Sequence, residues 1–103
     1  MVEFAEERRQ WSLLSSHGQV LVSISRAPEM TVRRLSQLLN FSERRIMGVL
    51  RDLEDAGMIR RERRGRQNLY IINVDASLRA PLLKDYTVRD LMKGLQPRPG
   101  DES

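Results

Sequence analysis

Apolar residues recur along the chain at helical spacing in three successive blocks, switch to a strand-like stretch, and then return to helical spacing. In the first block Leu21 and Ile24 follow His17 on one face, with Ser15 or Ser16 as the capping residue and Pro28 closing the element soon after Arg26. In the second, Thr31 caps a helix of about two turns whose face is Val32, Leu35, Leu38 and Leu39. After a break at Asn40 and Phe41, Ser42 opens a longer helix over 42–56 with Ile46, Val49, Leu50 and Leu53 as its buried stripe, and Gly57 ends it.

Two β-type stretches follow, Met58 to Arg64 and Leu69 to Val74, separated by Gly65, Arg66, Gln67 and Asn68, which is turn chemistry for a hairpin over 58–74. Thr87 then caps a closing helix carrying Val88, Leu91, Met92 and Leu95. Helix, short helix, tight turn, longer helix, hairpin and closing helix, in that order, predict a winged helix-turn-helix, a mostly α chain with one small β-hairpin in the α+β class.

A length of 103 residues fits one domain, expected over 15–95, preceded by an N-terminal segment (1–14) that reads as a helical dimer arm. The last stretch, 96–103, rich in proline, glycine and charge, reads as a disordered tail. Folding a chain this short buries roughly 60 to 70% of the surface the unfolded chain exposes, so burial against a second copy is an expected source of stability. Phe4, Trp11, Leu91, Met92 and Leu95 are the candidates for that homodimer surface.

The absence of cysteine excludes disulfides, thiolate zinc sites, iron–sulfur clusters and cysteine nucleophiles, and the single histidine leaves no imidazole cluster for a metal. No metal and no cofactor is expected. No apolar run reaches the roughly 20 residues that span a bilayer, and the stretch Val2 to Arg9 lacks the apolar core of a signal peptide, so the expectation is a cytoplasmic protein with no membrane partner.

Charge changes the picture more than composition does. The net charge is +4, and Arg60, Arg61, Arg63, Arg64 and Arg66 face only Glu62 in one short stretch, a local excess equal to that of the whole chain. An anionic partner is implied. In a helix-turn-helix the second helix enters the major groove, and subtracting its buried stripe leaves Ser42, Glu43, Arg44, Arg45, Met47, Gly48 and Arg51 for the exposed face. An arginine there can pair with guanine through two hydrogen bonds, discriminating against other bases by about 1–3 kcal/mol. Gly48 costs helix stability by roughly 1 kcal/mol relative to alanine, and close approach of a partner backbone is one reason to tolerate it. The plain alternative is that these are solvated charges on an exposed helix.

In the hairpin, Arg61, Arg63, Arg64, Arg66, Gln67 and Asn68 are the candidate contacts to phosphates flanking the groove, with Arg66 at the tip able to enter a minor groove. Such contacts set affinity and register more than sequence preference. The competing account is an edge hairpin kept soluble by charge. Five arginines and no lysine favour phosphate, because the planar guanidinium fork matches it.

The remaining polar residues offer less. His17 reads as a partly buried, hydrogen-bonded residue at the start of its helix. Asp52, Glu54 and Asp55 are neighbours in sequence that point in different directions on a helix, so they form no acid/base pair and are assigned to solvent or to arginine partners. With no nucleophile constellation and no glycine-rich phosphate loop, an enzyme is not expected.

The run from His17 to Leu95 resembles a family of small, stand-alone MarR-like winged helix regulators. The resemblance is carried by His17-Gly-Gln-Val-Leu21, Ser42-Glu-Arg44, Asp52-Leu-Glu-Asp-Ala-Gly57, Gly65-Arg-Gln-Asn-Leu-Tyr70 and Leu78-Arg-Ala-Pro81. The chain departs from that pattern at Asn40-Phe41, where glycine and isoleucine are more usual, at Gln67 in place of a second wing arginine, and at Ala80 in place of a histidine. The resemblance implies a dimeric DNA-binding regulator of transcription, often a repressor, with recognition and wing roles on Ser42, Glu43, Arg44 and Arg66. The reading is therefore a sequence-specific binder of double-stranded DNA acting as a homodimer, its small-molecule effector unspecified. The alternative is a winged-helix protein-interaction module whose basic wing meets an acidic protein.

Overall fold

The computed structural model describes residues 11–96. Phe4, the rest of the N-terminal arm before Trp11, and the tail beyond Gln96 lie outside the described residues.

Each helix begins where a hydroxyl side chain takes over one of the amide donors that a helix start leaves unpaired. Helix α1, Ser16–Arg26, is capped by Ser15, whose Oγ accepts from Gly18 N at 3.2 Å. Helix α2, Val32–Leu39, is capped by Thr31 through Arg34 N, and helix α3, Glu43–Asp55, by Ser42 through Arg45 N, both at 3.1 Å. Trp11 to Leu14 precede the first of these as a bend, with Leu14 N donating to Ser12 Oγ.

The turn between α2 and α3 depends on Asn40, which sits in the left-handed region at φ 59 and ψ 43. Asparagine tolerates that conformation better than most residues with a Cβ, so it does the work of the glycine usual at such a turn. Ser36 closes the turn from both groups, its carbonyl accepting from Phe41 N at 3.2 Å and its hydroxyl donating to Phe41 O at 2.6 Å. Gly57, at φ 74, ends α3 and lets Met58 N return to Leu53 O at 2.9 Å.

Strands β1, Ile59–Arg64, and β2, Gln67–Ile72, pair antiparallel from Ile59 opposite Ile72 to Arg64 opposite Gln67. The expected four-residue turn is thus only two residues, Gly65 and Arg66. Gly65 at φ 61 followed by a residue of negative φ is the two-residue connection with glycine first, which matches the twist of the strands and draws Gln67 and Asn68 into the ladder. The hairpin is tied at its base by Asn73 N to Met58 O (2.8 Å) and along its outer edge by Tyr70 N to Pro28 O (3.1 Å).

A loop closed by a bridge between Ser77 and Thr87 leads into helix α4, Val88–Gly94. Thr87 and Asp90 form a reciprocal capping box: Thr87 N donates to Asp90 Oδ2 at 2.9 Å, and Asp90 N donates to Thr87 Oγ1 at 3.4 Å. Leu95, expected inside this helix, is its C-cap, its carbonyl accepting from Arg26 Nη2 at 3.1 Å.

One core joins these elements. Val20 and Ile24 of α1, Leu35 of α2, Ile46 of α3 and Val88 of α4 are fully buried, with Met58, Ile59 and Tyr70 closing the hairpin side. Because α3 packs on both α1 and α2 and leads directly into β1, its outward face and the hairpin share one rigid base.

Candidate nucleic-acid interface

Helix α3 buries Ile46, Val49, Leu50 and Leu53 and leaves Arg44, Arg45, Met47, Gly48 and Arg51 exposed. At about 100° per residue, Arg44, Gly48 and Arg51 fall within a narrow stripe directly opposite the buried face. A Cβ built on Gly48 meets no atom within 4 Å, so protein packing does not require glycine there. The stripe is open to a partner along its whole length.

The flanks of α3 are occupied by the protein itself. On one side Arg45 Nη2 donates to Ser16 Oγ at 2.6 Å while its guanidinium lies 4.0 Å over the Phe41 ring centroid. Two turns further along that side, the Asp52 carboxylate accepts from His17 Nε2 at 2.8 Å. Asp52, expected to meet solvent or arginine, thus meets histidine, and His17 is more exposed than expected, at 47% of its side-chain surface. On the opposite flank Glu54 Oε2 lies 3.8 Å from Arg61 Nε. Ser42 Oγ is taken by the cap, and Glu43 occupies the first turn, where its charge complements the helix dipole.

The hairpin register divides the arginines between two faces, since residues directly opposite one another project to the same side. Arg61 and Arg63 share a face with Tyr70 and Asn68, whereas Arg60 and Arg64 share the other with Glu62, Leu69, Ile71 and Gln67. The buried Ile59 and Tyr70 and the Glu54–Arg61 pair turn the first face toward α3. Burial pushes the Tyr70 phenol above its ordinary value, opposed by the positive charge of neighbouring Arg61 and reinforced by the Glu54 carboxylate. At the tip, Arg63 Nε donates to Gly65 O at 3.1 Å, and Arg64 lies 3.5 Å from Glu62. The side chains of Arg44, Arg51 and Arg66 make no hydrogen bond or ion pair among the described residues.

Of the expected dimer residues, Trp11 is 76% exposed. Met92 and Leu95 line a groove of about 720 Å³ with Val22, Leu69 and Ile71, whereas Leu91 borders a separate cavity with Leu21, Leu53 and Met58. The α4 candidates thus border two different cavities.

Residues 11–67, just over half the chain, match the family model described as MarR family. The chain belongs to the MarR family. The match runs from Trp11 through α1, α2, α3 and β1 and ends on Gln67, just past the hairpin turn, so it covers every element that carries the exposed arginine stripe and the wing tip. No curated protein and no solved structure matches the chain. MarR-family proteins are DNA-binding regulators of transcription, and the two antiparallel strands and four helices among the described residues are their winged helix fold. No helix among the described residues is long and apolar enough to cross a membrane.

Sequence reasoning found the stripe and the arginine-rich hairpin but missed the side-chain ties on the flanks of α3. Ser16 and Arg45 are 29 positions apart, and His17 and Asp52 are 35 apart. No local spacing signals such pairs.

Proposed function

We propose that this MarR-family chain is a homodimeric, sequence-specific repressor that works in the cytoplasm. Helix α3 enters the major groove, and the hairpin lies over flanking phosphates with Arg66 directed to the minor groove. The reading rests on one observation above all: the stripe Arg44, Gly48, Arg51 is unobstructed and lies opposite the buried face of the helix that follows a tight turn. Base contacts fall to Arg44 and Arg51, with Ser42 and Glu43 at the groove edge, and phosphate contacts to Arg63, Arg64, Arg66, Gln67 and Asn68.

A single module covers too little DNA for high specificity, so two copies read successive major grooves about 34–36 Å apart on a pseudo-palindromic site. Residues 15–95 are the DNA-binding unit. Residues 1–14 supply the dimer arm: Trp11 and Leu13, 76% and 90% exposed, are large apolar side chains that burial against a second copy removes from water.

The test is fluorescence anisotropy with labelled genomic duplexes, including the chain's own upstream region, at several salt concentrations. Tight binding to one fragment, weakened by salt and by Arg44→Ala with Arg66→Ala, is the expected result. Equal weak binding to every fragment removes sequence specificity from the reading. Absence of binding at low salt removes DNA and leaves an acidic protein as the partner of the wing.

A further inference from the structure

The arginines of the interface divide by what their guanidinium groups touch. Arg45 and Arg61 each reach back to another element of the same chain. Arg45 joins α3 to Ser16 at the start of α1 and stacks on Phe41 in the turn, and Arg61 joins the root of the hairpin to Glu54 on the last turn of α3, opposite Tyr70 in the register. The side chains of Arg44, Arg51 and Arg66 make no hydrogen bond or ion pair among the described residues.

We propose that Arg45 and Arg61 are positioning residues that fix the recognition helix against α1 and the wing against the recognition helix, leaving the arginine contacts to DNA to Arg44 and Arg51 on the helix and Arg63, Arg64 and Arg66 at the wing tip. The inference rests on the DNA-binding reading above. Its physical basis is that hydrogen bonds to bases and phosphates tolerate displacements of only a few tenths of an ångström, so the angle between helix and wing decides how many contacts form together. Turning the Arg45 side chain away from α1 toward DNA costs its 2.6 Å hydrogen bond and its stacking on Phe41. Arg61 lies on the face turned toward α3, in the half of the strand away from the tip.

Salt dependence separates the two roles. Removing one arginine–phosphate interaction lowers the slope of log affinity against log salt concentration by about 0.9. A residue that only sets geometry lowers affinity without surrendering its own share of that slope. The experiment measures the slope for the full chain on a short random-sequence duplex and on the duplex bound most tightly, with thermal unfolding of every variant alongside.

Arg66→Gln is expected to lower the slope. Arg45→Gln and Arg61→Gln are expected to leave the slope unchanged and to reduce the preference for the tight duplex severalfold, with melting temperatures near wild type. The decisive variants are Ser16→Ala and Glu54→Ala, which remove no positive charge. Both are expected to reproduce the reduced preference, although removing the Glu54 carboxylate by itself favours DNA. A slope drop for Arg45→Gln or Arg61→Gln matching that of Arg66→Gln overturns the proposal, as does tighter and equally selective binding by Glu54→Ala. Failure of the wild-type chain to bind either duplex overturns the DNA-binding reading, and this inference with it.

Discussion

His17 and Asp52 are held 2.8 Å apart although 35 positions separate them in the chain, and their contact links the first turn of α1 to the last turns of α3. Both side chains are substantially exposed, at 47% and 65%, so solvent screens the pair. Its worth is about 0–1 kcal/mol. His17→Ala and Asp52→Ala are therefore each expected to lower stability by less than about 1 kcal/mol, and the double variant to cost less than the two single costs together. Urea unfolding of the three variants measures this, and strictly additive losses argue against a direct interaction.

Gly48 separates folding from binding. Alanine there meets open space and removes glycine's conformational cost in a helix interior, so Gly48→Ala is expected to stabilise the chain by roughly 0.5–1 kcal/mol. The same methyl group stands on the stripe that faces DNA, and duplex affinity is expected to fall. Thermal melting and anisotropy on one preparation check both signs; unchanged affinity with raised stability means that no DNA backbone approaches this point.

Gly65 carries the wing. At φ 61 it occupies a region that a side chain enters at a cost of about 1–2 kcal/mol. Gly65→Val is expected to loosen the hairpin tip while leaving the core around Ile46 and Ile24 intact. Amide hydrogen exchange is the readout, with protection falling at Arg64 and Gln67 and retained in α1 and α3.

Asp90 gives stability a pH dependence of known sign. Accepting from the backbone and hydroxyl of Thr87 holds its carboxyl below the ordinary carboxylate value, with smaller help from Lys93 and Arg89. A depressed folded-state value means that the unfolded chain binds the proton more readily. The contribution is present above the ordinary carboxylate value and is lost as pH falls through the lower folded one. Asp90→Asn is thus expected to lower stability at neutral pH and to lose its effect in strong acid, measured by urea unfolding across that range.

Most of the fold was legible because its signals are local. Ser15, Thr31, Ser42 and Thr87 each cap the helix that follows, Gly57 ends α3, and the apolar spacing picks out Leu21, Ile24, Leu35, Val88 and the whole buried stripe of α3, while it misses the buried Val20 and includes Leu38, which is exposed. The hairpin bounds were harder to place. Gln67 and Asn68 have turn-like composition, and only the tight glycine turn draws them into the ladder. Within the candidate site, exposure of Arg44, Gly48 and Arg51 followed from subtracting the buried stripe. That Arg45 and Arg61 reach back to Ser16 and Glu54 did not, because those contacts depend on how α1, α3 and β1 cross in space.

The central claim is that the exposed stripe of α3 and the tip of the wing together bind duplex DNA. An amide chemical-shift titration of the isotope-labelled chain with the duplex bound most tightly tests it most directly. The account predicts the largest shifts at Arg44, Gly48, Arg51, Gly65 and Arg66, with Val88 to Gly94 unchanged. Shifts concentrated in α4, with the stripe and wing tip silent, would contradict it.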